Sequence, residues 1–82
     1  MALYFLSCDR RKDRGYPYLY DSLRYFNAVR LLESTWCFNR ANKSSKGLCN
    51  YFKGVIDPND RVVVSEISGW ASFKTDGTPN DL

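Results

Sequence analysis

The stretch that decides the fold is ALYFLSCDRRKDR, residues 2–14, at the start of the chain. A short, mostly apolar segment leads into one acidic residue, Asp9, and then into a basic loop. Because Tyr4, Phe5 and Leu6 are consecutive rather than alternating with polar residues, this pattern predicts a strand buried on both faces, in the middle of a small sheet. Asp9 would then stand at the rim of the core, where a metal ion or a substrate can reach it.

The size and composition indicate one folded domain. The chain has 82 residues, of which 44% are hydrophobic and 16% aromatic. This composition is typical of a protein that folds, although a core of this size buries only about 60% of the unfolded surface. The core cannot hold all the aromatic rings, so some must lie on the surface. We therefore expect a homodimer, which would bury exposed rings.

The charge of the chain is unevenly distributed. The net charge is +3, and the segment 75–82 contributes two acids and no base. Residues 40–53 contain four basic residues and no acid. This distribution is consistent with a polyanionic partner, and equally with the ordinary basic surface of a soluble domain.

The cysteine and histidine content indicates which compartment and which chemistry to expect. Cys8, Cys37 and Cys49 are isolated within apolar segments, which is typical of reduced thiols in a cytoplasmic protein. The absence of histidine removes the commonest metal ligand and general base, so any chemistry must use carboxylates, hydroxyls, thiols or a bound ion. The N-terminal apolar run is too short for a membrane span or a signal peptide, so we expect no membrane association.

Hydrophobic periodicity predicts the remaining elements. A helix is expected over residues 17–27, because Pro17 suits a first turn and apolar residues recur at helical spacing. Residues 28–40 are predicted to be extended, as one long bulged strand or as two strands joined by a turn at Glu33-Ser34. A second helix is expected after Ser44 or Ser45, ending near Gly54. Residues 61–68 are predicted to be a strand, and residues 70–74 a short further strand.

This order of elements predicts the fold class. It is an α+β, ferredoxin-like βαββαβ sandwich, with one antiparallel sheet, two helices on one face and a short extra C-terminal strand. Residues 1–74 would form the single domain and residues 75–82 a flexible C-terminal tail. The second face of the sheet would be partly open and available to another subunit.

Three segments carry a resemblance to a known family. They are YFLSCD (residues 4–9), ESTWCF (residues 33–38) and DPNDRVVVSEISGW (residues 57–70). In order and spacing the chain resembles the small CRISPR-associated endoribonucleases of the spacer-acquisition complex and their VapD-like relatives. The middle segment is closest to stand-alone relatives, and the strand ends in Cys8-Asp9 where the family usually has Tyr-Asp.

The resemblance implies a symmetric ferredoxin-like dimer. Matched by position, Asp9 of each subunit would face the other across the dimer axis and hold a divalent ion, here Mg²⁺. Members of the family are metal-dependent nucleases or non-catalytic nucleic-acid-binding adaptors. A hard divalent ion favours carboxylate oxygens and could activate water without a histidine. Asp9 is thus the candidate catalytic and metal-binding residue, and the alternative is that it caps the loop or pairs with Arg10 or Arg11.

The other candidate residues form two groups. Basic side chains in two segments could contact the phosphates of RNA or DNA: Arg10, Arg11, Lys12, Arg14, Arg40, Lys43 and Lys46. Three aromatic side chains are candidates for the dimer interface: Trp36, Trp70 and Phe73.

The sequence supports two hypotheses of function. The first is a dimeric nucleic-acid-binding protein of antiviral defence, acting as a Mg²⁺-dependent endonuclease of the CRISPR-associated type. The second is a non-enzymatic protein–protein interaction module, such as a phage or mobile-element inhibitor of a defence complex or a toxin–antitoxin component. The first is the leading hypothesis, and the small size and the surplus of aromatic residues are the support for the second.

Overall fold

The computed structural model describes residues 1–9, 17–56 and 60–82. The elements are β1 (Ala2–Asp9), α1 (Pro17–Tyr25), β2 (Val29–Leu32), β3 (Thr35–Arg40), α2 (Ser45–Lys53), β4 (Arg61–Ile67) and a short 3₁₀ helix (Pro79–Asp81). The α+β class predicted from the sequence is therefore confirmed. Within these described ranges, no helix is long and apolar enough to cross a membrane.

One antiparallel sheet of four strands organises the molecule, in the order β2-β3-β1-β4. β1 lies in its interior and pairs with β3 on one side and β4 on the other. The predicted central position of this strand is confirmed. This architecture, with its two helices, is compatible with a ferredoxin-like fold.

The segment 28–40 forms two strands joined by a tight turn, the second of the two arrangements that its sequence allows. The Arg30 side chain stabilises the turn, since its guanidinium donates to the Leu32 carbonyl at 3.1 Å and the Glu33 carbonyl at 2.6 Å. The pairing of β2 with β3 shifts between Arg30 and Leu32. The arrangement of two strands joined by a turn is therefore confirmed, and the irregularity lies in their pairing rather than in one long bulged strand.

The pleat of β1 divides the sheet into two faces. Tyr4, Leu6 and Cys8 point to the inner face and are buried. Phe5 on the outer face is half-buried and Ser7 is exposed. The strand is thus fully buried on one face only, and the predicted burial of both faces is only partly correct.

Both helices bury their apolar residues against the inner face. Leu19 and Leu23 of α1 and Leu48 and Phe52 of α2 join the inner-face strand residues in one hydrophobic core. α2 begins where Ser44 accepts a hydrogen bond from the Gly47 N–H at 3.0 Å. This capping bond satisfies an otherwise unpaired N–H and identifies Ser44, rather than Ser45, as the N-cap.

Aromatic rings fill the centre of the core. Phe38 of β3 is 0% exposed, and its ring centroid lies 5.9 Å from Tyr4, 5.0 Å from Phe26 and 5.9 Å from Phe52. Phe26 follows the last turn of α1, and Phe52 lies near the end of α2. Phe38 therefore connects the sheet to both helices.

Residues 70–74 do not form the predicted extra strand, and that prediction is wrong. After β4 the chain passes over the outer face, where Trp70, Phe5 and Leu31 line a common cavity of about 260 Å³. A strand needs the edge of a neighbouring strand to pair with, and this segment lies over a face of the sheet instead. Lys74 also has a left-handed φ of 56°, which turns the chain away from an extended path.

The last eight residues, for which the sequence predicted a flexible tail, contact β2. The Asp76 N–H donates to the Leu31 carbonyl at 2.8 Å. A capping box holds the short helix, because the Thr78 hydroxyl accepts from the Asn80 N–H and the Asp81 carboxylate accepts from the Thr78 N–H. These bonds fix the course of the segment over the sheet.

Close contact at Gly77 gives a test of this packing. A Cβ at Gly77 would lie 2.7 Å from a Val29 methyl group and 2.8 Å from the Arg30 carbonyl. We expect Gly77→Ala to lower the free energy of unfolding by about 1–3 kcal/mol, because backbone must move to relieve the clash. Gly69→Ala is the control, since a Cβ there meets nothing within 4 Å. Equal stability of the two variants in urea unfolding would show that residues 75–82 do not pack on β2.

Candidate nucleic-acid interface

A concave groove lies at the end of the sheet where β1 begins. The last turn of α1, the end of β3 and the first turn of α2 enclose it, with a volume of about 370 Å³. Its lining residues are Tyr25, Phe26, Arg40, Lys43, Gly47, Leu48 and Tyr51. We call this set the basic groove. It brings together two of the predicted phosphate-binding residues, Arg40 and Lys43.

Three aromatic rings form the walls and floor of the basic groove. Phe26 is 8% exposed and forms the floor, with its centroid 5.9 Å from Tyr25 and 5.6 Å from Tyr51. Tyr25 and Tyr51 are 76% and 47% exposed, so their rings remain accessible to a ligand. The Tyr51 hydroxyl lies 3.2 Å from the Ser22 hydroxyl of α1, and this hydrogen bond links the two helices and holds one wall in place.

The positive charge of the groove is held against these rings. The Arg40 guanidinium lies 4.0 Å from the Phe26 centroid and 5.6 Å from that of Tyr25. A cation over an aromatic ring in this geometry is stabilised by about 0.5–2 kcal/mol, and its edge stays available to bind oxygen atoms. The backbone at Lys43 is also anchored, because its carbonyl accepts a hydrogen bond from the buried Tyr4 hydroxyl at 2.8 Å.

Among the residues that the structure describes, those lining the groove include no Asp or Glu. The first turn of α2 carries no acid either. Lys46, the third predicted phosphate-binding residue of this segment, lies exposed in that same turn. The amino end of a helix favours negative charge, so the helix and the basic side chains act in the same direction. The site as a whole favours an anion.

The carboxylate of Glu66 is linked to the groove through Tyr4, whose hydroxyl donates to the Lys43 carbonyl. Its Oε1 lies 3.5 Å from the Tyr4 hydroxyl. Burial, and then the Glu66 charge, raise the pKa of Tyr4. A raised pKa means that the folded protein keeps this proton where the unfolded chain loses it, near pH 10, so the associated stability is complete below that pH and declines above it. At neutral pH, Tyr4 is therefore a neutral donor to Lys43.

Asp9, the predicted catalytic residue, ends β1 on the outer face of the sheet. Its carboxylate lies 3.6 Å from the Arg61 Nε, and both side chains are largely exposed. The pairing follows from the register, which places Asp9 opposite Arg61 at the start of β4. The sequence predicted pairing with Arg10 or Arg11 as the alternative to metal binding, and those two residues lie outside the described ranges. Arg61 is the partner that sequence reasoning missed.

Within one chain, the described residues provide few ligands for a metal ion at Asp9. Over residues 1–9, 17–56 and 60–82, no group of three or more His, Cys, Asp or Glu side chains could hold an ion. Mg²⁺ at nucleic-acid sites commonly uses one or two carboxylates together with phosphates and water. A single Asp9 would provide one carboxylate, and two copies of Asp9 across a two-fold axis would provide two.

The structure separates Asp9 from the basic groove. The basic groove lies beside the start of β1, where Ala2 pairs with Arg40, whereas Asp9 ends the strand. Seven residue steps along a strand correspond to about 23 Å. One site therefore cannot contain both Asp9 and the groove. The remaining predicted contacts, namely Arg10, Arg11, Lys12 and Arg14, fall outside the described residues.

The three predicted interface aromatics occupy different environments. Trp36 lies on the inner face, 7% exposed, with its centroid 6.1 Å from Tyr20 of α1. Its ring thus has little surface left for another subunit. Trp70 and Phe73 are 38% and 83% exposed. Of the three, these two are placed to meet a partner.

The thiols do not form a nucleophilic site. Cys8 and Cys37 are buried and Cys49 is half-buried. Burial raises the pKa of the Cys37 thiol, against the opposing effect of a hydrogen bond from the Val29 backbone. Cys37 is therefore protonated at neutral pH, and the thiol is a poor nucleophile in that form.

Two groove residues were not predicted as functional, Tyr25 and Tyr51. Neither is basic, so neither belongs to the predicted phosphate-binding set. Their signal in the sequence is that each directly precedes a phenylalanine that faces the core, Phe26 after α1 and Phe52 in α2. No family model matches the chain, and no curated protein or solved structure is significantly similar to it.

Proposed function

We propose that this chain is a cytoplasmic nucleic-acid-binding protein that acts as a ferredoxin-like homodimer. The observation that carries the proposal is the basic groove. There, Arg40 and Lys43 are held beside exposed tyrosine rings, and no lining residue is acidic. Phosphates bind to basic side chains, and bases stack on aromatic rings, so this combination suits a nucleic acid better than a simple anion.

The topology supports the ferredoxin-like part of the proposal. Each helix connects two strands that are separated in the sheet by one other strand: α1 connects β1 to β2, and α2 connects β3 to β4. This is the arrangement of a split βαβ unit repeated twice. The outer face supports the homodimer, because Val63, Trp70 and Phe73 expose apolar surface there or beside it.

Hydrolysis at Asp9 is a separate part of the proposal. It follows the resemblance to CRISPR-associated endonucleases and requires the dimer. Asp9 points to the outer face, the same face that would meet a second subunit. Bound there, Mg²⁺ would supply activation of water for attack on a phosphodiester. In a single chain Asp9 pairs with Arg61, which competes with the ion for the carboxylate.

Binding and cleavage assays test the two parts independently. Labelled RNA and duplex DNA are incubated with the protein in Mg²⁺ or in chelator, over a range of salt concentrations. We expect the affinity to fall steeply with salt, because each phosphate contact releases counterions. We expect any cleavage to require Mg²⁺ and to be lost in Asp9→Ala. Cleavage that survives Asp9→Ala, or no cleavage at all, removes the enzymatic part, whereas affinity that does not depend on salt removes the nucleic-acid part.

The outer face favours one alternative function, a protein–protein interaction module. Phe73 and Val63 are 83% and 61% exposed, and such apolar surface commonly marks an interface. The same assay discriminates between the two functions. Co-purification of a stable protein partner, without salt-dependent binding to nucleic acid, would support the interaction module. A homodimer that binds RNA or DNA would instead use this face for its own partner.

A further inference from the structure

We infer that the basic groove receives one unpaired base of a single-stranded nucleic acid, with the adjoining phosphates held by Arg40 and Lys43. This inference rests on the proposed nucleic-acid binding and adds the form of the ligand and the residues that select it. It assigns base stacking to Tyr25 and Tyr51, which no sequence pattern identified.

The volume of the groove is suited to a small ligand such as a single base. Its volume of about 370 Å³ is at the lower end of the range of small-molecule pockets, about 300–1,000 Å³. A base that has left its stack could enter a space of this size between the Tyr25 and Tyr51 rings. In a duplex the bases stay stacked and paired, so only the backbone would reach the rim.

The walls of the groove are held in place before the ligand binds. Tyr51 contacts Ser22 through its hydroxyl and packs its ring edge-on against Phe52, with centroids 5.2 Å apart. The Arg40 guanidinium lies 4.0 Å from the centroid of the buried Phe26 ring. Rings that are already positioned lose little conformational entropy on binding, so stacking contributes more of its energy to affinity.

The basic side chains are placed to contact the phosphates that adjoin an inserted base. Arg40 lines the groove at the end of β3, and Lys43 lies in the loop just before α2. Both flank the aromatic rings rather than forming a continuous flat track. A ligand that bends its backbone to insert a base suits this arrangement, and a single strand bends more readily than a duplex.

The test compares a single strand with its duplex across matched tyrosine variants. Fluorescence anisotropy measures the affinity of a labelled oligonucleotide of about ten nucleotides, alone and annealed to its complement. Tyr25→Ala removes one wall of the groove, and Tyr25→Phe keeps the ring. Tyr18→Ala is the control, because Tyr18 is 73% exposed on the same helix, about 10 Å along its axis. A nucleoside monophosphate serves as the competitor.

We expect the single strand to bind more tightly than the duplex. Tyr25→Ala should lower single-strand affinity about tenfold, whereas Tyr25→Phe and Tyr18→Ala should leave it nearly unchanged. Equal affinity for single strand and duplex, or equal effects of Tyr25→Ala and Tyr18→Ala, would overturn the inference. The proposed function would still stand if the binding depended on salt. A monophosphate that competes as well as the oligonucleotide would also overturn the inference. Loss of all salt-dependent binding would instead refute the proposed function.

Discussion

Phe38→Ala is expected to lower the free energy of unfolding by about 3–5 kcal/mol. Phe38 is fully buried, and its ring contacts Tyr4, Phe26 and Phe52, so its loss leaves a cavity between the sheet and both helices. A domain of this size has a total stability of about 4–12 kcal/mol. The variant should therefore lose a large share of this stability, as measured by circular dichroism and urea titration.

Phe73→Ala is the matched control for this core substitution. The same side chain is removed from a position that is 83% exposed, so little buried surface is lost. We expect a change within about 0.5 kcal/mol. Comparable destabilisation by the two variants would mean that Phe38 is not at the centre of the core. The control also reports on the dimer, since Phe73→Ala would weaken self-association if the outer face forms the interface.

The second large effect is expected on binding. Replacing Arg40 and Lys43 together by alanine should lower the affinity for nucleic acid about 10- to 100-fold at low salt, because two charge-assisted phosphate contacts are lost. The slope of log affinity against log salt concentration should become less steep by about 2, which is about 1 for each lost phosphate contact. Titration of the double variant at several salt concentrations measures both quantities.

A second double variant controls for net charge in this experiment. Lys53 and Lys74 are exposed and do not line the basic groove. Replacing both by alanine removes the same formal charge from other positions. An equal loss of affinity in the two double variants would show that binding follows the net charge of the protein and has no defined site.

Both helices, β1 and β4 could be predicted because each has a strong local pattern, whereas the sequence left residues 28–40 open as one bulged strand or two strands. Leu48 and Phe52 recur at helical spacing, and Ser44 provides a cap, so α2 was predicted nearly to its ends. The prediction of an extra strand at residues 70–74 was wrong for the opposite reason. The composition of this segment suits a strand, but strand formation depends on a neighbour, and the chain lies across the outer face instead.

The groove could be predicted only in part, because it depends on tertiary structure. Arg40 and Lys43 were identified from a run of basic residues without acids. The aromatic walls come from α1 and α2, and only the packing of both helices on one face brings Tyr25 and Tyr51 together. The partner of Asp9 was likewise set by strand register, which no local pattern encodes.

The measurement that tests the central claim most directly is chemical-shift mapping of the labelled protein with a single-stranded oligonucleotide. We expect the largest amide shifts to cluster at the basic groove, from Tyr25 and Phe26 through Arg40 and Lys43 to Tyr51. We expect small shifts at Val63 on the outer face. Shifts that concentrate on the outer face, or none at saturating oligonucleotide, would contradict this expectation.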